Sequence, residues 1–133
     1  MISCEKANEN RDNTPEEESW ENAWTYNHNK VGPLVSTIWG AFIDTREIDF
    51  WHIYLSPVKI TLPVDFPLDG SKILFWQDQS IVVEYGREKW SWENSPKGYV
   101  KAAYDARDNY FEIRFSTASK LKGYYCGELT IIE

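Results

Sequence analysis

The stretch WHIYLSPVKITL, residues 51–62, decides how this chain is read. Trp51, Ile53 and Leu55 alternate with His52 and Tyr54. After Ser56-Pro57 the pattern resumes, with Val58, Ile60 and Leu62 alternating with Lys59 and Thr61. A period of two puts one set of side chains on each face of an extended chain, the pattern of a half-buried strand. Phe111, Ile113 and Phe115 repeat it against Tyr110, Glu112 and Arg114.

Working outward, residues 34–43 and 73–76 are more continuously apolar, which predicts strands covered on both sides. Residues 81–85 and 99–104 add further strands. In residues 121–132, Leu121, Tyr125, Leu129 and Ile131 share a face with Gly123 and Gly127, which suggests close backbone approach or a bulge. Without a bulge, Cys126 falls on the other face with Tyr124 and Thr130, as a small, partly buried apolar group. Turn-forming residues separate the strands: Asp44-Thr45-Arg46, Pro67-Leu68-Asp69-Gly70, Asn94 to Gly98, Ala106 to Asn109 and Thr117 to Lys120. Short turns with no helical period between strands predict an all-β fold, an antiparallel β-sandwich, with a small lipocalin-like barrel as the alternative. Residues 18–27 are open to a short helix or a first strand; the helix is preferred, because Thr14, Pro15 and Glu17 form a helix-starting signal and Trp20 and Trp24 are four apart.

At 133 residues the chain is one domain, able to bury roughly 65–70% of its surface without help from metals or disulfides. Its net charge of −7 disfavours nucleic acid and anionic lipid as partners. Residues 1–19 hold Glu5, Glu9, Asp12, Glu16, Glu17 and Glu18 against Lys6 and Arg11, and so carry −4 of that charge. Residues 1–17 read as a flexible acidic tether, and residues 18–133 as the folded domain.

Ile2-Ser3-Cys4 resembles the end of a bacterial lipobox, with an apolar residue, a small residue and the cysteine that takes the lipid; Met1 stands where the motif usually has leucine. Cys4 is therefore the expected lipidation site, and the lipid the only expected membrane attachment. A Cys4–Cys126 disulfide is disfavoured on this reading, because a tether does little to hold a cysteine in bridging geometry.

Ile53-Tyr54-Leu55-Ser56-Pro57, the paired strands at residues 98–104 and 109–116, and Lys122-Gly123-Tyr124-Tyr125-Cys126-Gly127-Glu128-Leu129 together resemble small lipid-anchored all-β proteins of Gram-negative bacteria. That resemblance implies an outer-membrane lipoprotein, facing either the periplasm or the surface; it implies no activity.

The candidate site is Trp90-Ser91-Trp92-Glu93-Asn94. In a strand, Trp90 and Trp92 point the same way and offer a flat apolar platform to a sugar ring, while Glu93 or Asn94 binds its hydroxyls. The opposing possibility is that both indoles fill the core. His28 and His52 lack metal-ligand spacing, so neither a metal nor a cofactor is expected. No nucleophile elbow is present, and carboxylates such as Glu84, Glu88, Glu93, Asp105 and Glu112 fit solvated strand faces better than a catalytic pair. The expected function is non-catalytic: a lipid-anchored envelope protein binding an extracellular ligand, carbohydrate by preference. The alternatives are a protein-interaction module of the envelope and a lipocalin-like binder of an apolar ligand.

Overall fold

The computed structural model describes residues 22–28 and 32–132. Eleven strands follow in order: β1 (Ala23–His28), β2 (Gly32–Thr37), β3 (Ala41–Asp44), β4 (Phe50–Leu55), β5 (Val58–Pro63) and β6 (Asp69–Leu74), then β7 (Val82–Tyr85), β8 (Glu88–Trp90), β9 (Tyr99–Asp105), β10 (Tyr110–Ser116) and β11 (Leu121–Ile132). All join one sheet, in the order β6-β9-β10-β11-β3-β4-β5-β7-β8, with β1 paired to β11 and β2 to β1. The fold is all-β, as the alternation predicts.

Most pairs are antiparallel, but β11 runs parallel to β3, Leu129 opposite Ala41 and Ile131 opposite Ile43. The twelve residues of β11 therefore join two half-sheets. Its first part pairs with β10 and β1, and its last part with β3. The sheet curls until these halves meet face to face. Tyr85 of β7 lies 5.0 Å, ring to ring, from both Trp24 and Tyr26 of β1, and the Tyr26 hydroxyl donates to Glu88 of β8. The result is a half-barrel whose concave side holds the core.

The core follows the register. Ile43, Ile53, Ile60, Val83 and Trp90 form one cross-strand row on the concave side, all buried. Facing them are Val100, Phe111, Ile113 and Phe115 of the other half. On β11 the regular pairing with β10 contains no bulge, so Tyr125 faces inward and Cys126 outward, as the alternation requires. Gly123 is needed for space: a Cβ there would stand 2.6 Å from the ring of buried Phe115 directly opposite, and 3.2 Å from the Ala23 carbonyl.

Three local expectations are corrected. Residues 23–27 form strand, not helix: Trp24 and Tyr26, two apart, are both buried, while Ala23 and Thr25 face the other way. The possible helical start at 18–21, the acidic tether and Cys4 lie outside the described residues. Residues 34–43 split into β2 and β3 around residues 38–40, and β2 is an exposed outer strand pairing only with β1. Its apolar run meets cover on neither side, and Val35 is exposed. Finally, β6 ends at Leu74, so Trp76 stands in a turn and not in a covered strand.

Cys126 departs from expectation in its chemistry. It is buried as predicted, but it is disulfide-bonded and not a free thiol.

At the end of β3, Arg46 grips Asp44, donating from Nε at 2.9 Å, Nη2 at 2.7 Å and its backbone N–H at 3.0 Å. These bonds hold the Asp44 carboxyl down at about 2, against 3.8 for a free aspartate. A depressed folded pKa gives stability that is present above the unfolded value and is lost as pH falls through the folded one. The gap in Tm between wild type and Asp44→Asn should therefore be full above pH 4 and close as pH falls from 4 to 2, measured by thermal melts along a pH series. Independently, Gly123→Ala should cost about 1–3 kcal/mol through overpacking against Phe115, measured by urea unfolding.

Candidate functional site

The two end strands of the curled sheet, β6 and β8, are not paired to each other. Two loops span the seam between the halves. Residues 75–81 carry the chain from β6 to β7, and residues 91–98 carry it back from β8 to β9. The loops are hydrogen-bonded together, the Phe75 N–H donating to the Gly98 carbonyl at 2.8 Å and the Trp76 N–H to the Pro96 carbonyl at 3.3 Å. Gly98 is required here, because a Cβ would meet the Phe75 ring at 2.5 Å.

Each loop is also braced internally. In the first, Gln77 Oε1 accepts from the Leu74 N–H at 2.8 Å, and the Gln77 N–H returns to the Leu74 carbonyl at 2.9 Å. In the second, Asn94 Oδ1 accepts from the Ser91 N–H at 2.9 Å and its Nδ2 donates to the Lys89 carbonyl at 2.8 Å. Beneath them, Phe75, Ile81 and Trp90 are buried and anchor both loops in the core.

This arrangement divides the residues of the expected platform. Trp90 is the last member of the inward cross-strand row and only 6% exposed, so it is core. Trp92 lies beyond the end of β8, in the turn, and is 39% exposed. Strand alternation stops at Trp90, so the two indoles do not share a strand face. Glu93 is exposed. The Asn94 amide is committed to bracing its own loop.

The exposed partner is a residue the sequence pattern hid. Trp76, 56% exposed, stands on the adjoining loop, joined to the Trp92 loop through Pro96. The signal that could have found it is Gln77-Asp78-Gln79-Ser80, a polar run that ends the apolar segment immediately after it. In the same second loop the Ser95 hydroxyl is buried without a hydrogen-bond partner among the described residues.

Away from these loops, a concavity of about 400 Å³ lies where β1, β11 and the 117–120 turn meet, lined by Thr25, Asn27, Ser116, Ser119, Lys120 and Lys122 among others. It holds no aromatic side chain. Its Lys120 ammonium is 3.4 Å from Glu88. Of the histidines, His52 Nε2 meets Glu47 at 3.0 Å and Nδ1 meets the Thr61 hydroxyl at 3.1 Å. Among the described residues no group of three His, Cys, Asp or Glu could hold a metal, and no helix is long and apolar enough to cross a membrane.

The class defined here is a curled mixed-sheet half-barrel carrying an aromatic loop pair at its seam. No protein-family model, curated protein or solved structure matches the chain.

Proposed function

We propose that the protein is a non-catalytic binding module of the bacterial cell envelope, taking a carbohydrate at the 75–81 and 91–98 loops. The observation that carries this reading is the exposure of Trp76 and Trp92 on two loops that are braced by hydrogen bonds and rooted in the core. Indoles held this way give a sugar's C–H face apolar contact at little conformational cost. The exposed Glu93 carboxylate and Gln79 amide lie on the same two loops and supply hydroxyl partners.

The half-barrel interior argues against an enclosed apolar ligand, because Ile53, Leu55, Ile60, Leu62, Phe111, Ile113 and Phe115 fill it. An oxidising compartment is supported by the Cys126 disulfide, since such bonds persist outside the reducing cytosol. The binding proposal does not depend on the acyl anchor expected at Cys4.

Affinity electrophoresis of the full chain through gels containing different polysaccharides tests the proposal. Trp76→Ala and Trp92→Ala should each weaken retention about tenfold or more, equivalent to about 1.4 kcal/mol. Both side chains are exposed, so stability should move by no more than about 0.5 kcal/mol. Trp90→Ala, by contrast, should lose about 3–5 kcal/mol of stability by emptying a core position. Absence of retardation by every polysaccharide, or retardation that persists in both folded Trp76 and Trp92 variants, would sink the carbohydrate reading.

A further inference from the structure

Where β1 meets the start of β11, a chain that is acidic overall turns locally basic. Lys122 stands opposite Thr25 of β1 on one side and Ser116 of β10 on the other. Two residues earlier, the Lys120 carbonyl accepts from the Asn27 N–H at 2.7 Å. These side chains, with Ser119, wall the concavity of about 400 Å³ at the 117–120 turn. Among the described residues no carboxylate lines it.

The frame of the concavity is fixed by its own hydrogen bonds. Thr117 is fully buried, and its hydroxyl accepts from the Lys120 N–H at 3.1 Å and the Leu121 N–H at 3.0 Å. Its own N–H donates to the Leu121 carbonyl at 2.8 Å, and the Ser116 hydroxyl accepts from the Ala118 N–H at 3.0 Å. A ligand arriving here does not have to order the turn, which keeps the cost of binding low. The groups that face the open space are uncommitted. The Thr25 hydroxyl, the Asn27 amide and the Lys122 ammonium make no hydrogen bond or ion pair among the described residues. Lys120 lies 3.4 Å from Glu88, whose carboxylate also accepts from the Tyr26 hydroxyl. Two ammonium groups against one shared carboxylate leave the site positive.

We propose that this concavity binds an acidic sugar. Its oxyanion, whether carboxylate, sulfate ester or phosphate, sits between the Lys120 and Lys122 ammonium groups, and its hydroxyls meet Thr25, Asn27 and Ser119. The volume is within the range of about 300–1,000 Å³ usual for small-molecule sites, and is more than a bare oxyanion fills. Hydroxyl and amide walls suit a polyol ring. The lack of an aromatic wall argues against a nucleotide, whose base would have nothing to stack on. Ammonium donors give an oxyanion charge-assisted hydrogen bonds. The chain's net charge of −7 does not decide the matter, because at physiological salt the influence of a charge fades over about 8 Å. Neither tryptophan of the seam loops takes part, so the site goes beyond the carbohydrate reading made for those loops.

The test is a titration of the isotope-labelled full chain with glucuronate, a glucose sulfate ester and a glucose phosphate, followed by amide NMR. At least one of the three should move the signals of Asn27, Ser119, Lys120 and Lys122 saturably, and the strongest binder identifies the oxyanion preferred. Uncharged glucose should not move them. Lys122→Gln should weaken binding about tenfold with Tm unchanged, since one charge-assisted contact is lost from an exposed side chain. Lys89→Gln, on the other half-sheet, should bind as wild type does. No saturable shift with any of the three, equal shifts with glucose, or an unchanged affinity in Lys122→Gln overturns the site. Inorganic sulfate or phosphate binding as tightly as the sugars would overturn the sugar and leave only a bare anion. Shifts confined to residues 75–81 and 91–98 would also overturn this site, while supporting the carbohydrate reading of the seam loops.

Discussion

Because β11 pairs with β10 and β1 over its first part and with β3 over its last, one strand carries the connection between the two halves of the sheet. Its inward side chains explain how it can do so. Gly123 lies flat under the Phe115 ring, and the Tyr125 hydroxyl, 2.7 Å from where a Gly127 Cβ would be, bonds the Glu128 carbonyl at 2.7 Å. The bare glycines leave room on the concave side for aromatic rings from the strand itself and from its neighbour. The curl that follows brings β1 against β7, and so sets Trp24 and Tyr26 on Tyr85. Each half then covers the apolar face of the other, which neither could bury alone.

The same curl leaves β6 and β8 as unpaired ends, and that is where the two aromatic loops cross. Their placement reconciles rigidity with exposure. Phe75 and Trp76 are neighbours in sequence, as Trp90 and Trp92 nearly are, yet one of each pair is buried and the other faces water. The buried member fixes the loop, and the exposed member is presented by it. Where Asn94 was expected to meet a ligand, its amide instead holds the turn that positions Trp92.

Where one face is buried and the other wet, local pattern was enough. Residues 51–62, 110–116 and 121–132 could be read directly, including the outward position of Cys126, because period-two alternation survives along their length. Apolar runs were the weak point. Residues 34–43 and 73–76 look alike in composition, but β2 is an exposed outer strand and Trp76 sits in a turn, outcomes set by distant partners and not by neighbours. The Trp90–Trp92 pair failed for a different reason: alternation predicts a shared face only while the strand continues, and β8 stops at Trp90. The parallel β11–β3 pairing joins positions about ninety residues apart, beyond any local signal.

The order of the strands also has a consequence in time. The strand that unites the half-sheets is the last of the eleven to leave the ribosome, so β3-β4-β5-β7-β8 and β6-β9-β10 have no shared edge until residues 121–132 have emerged. Until then each half exposes the apolar face that the other will cover, and non-local pairings of this kind form slowly.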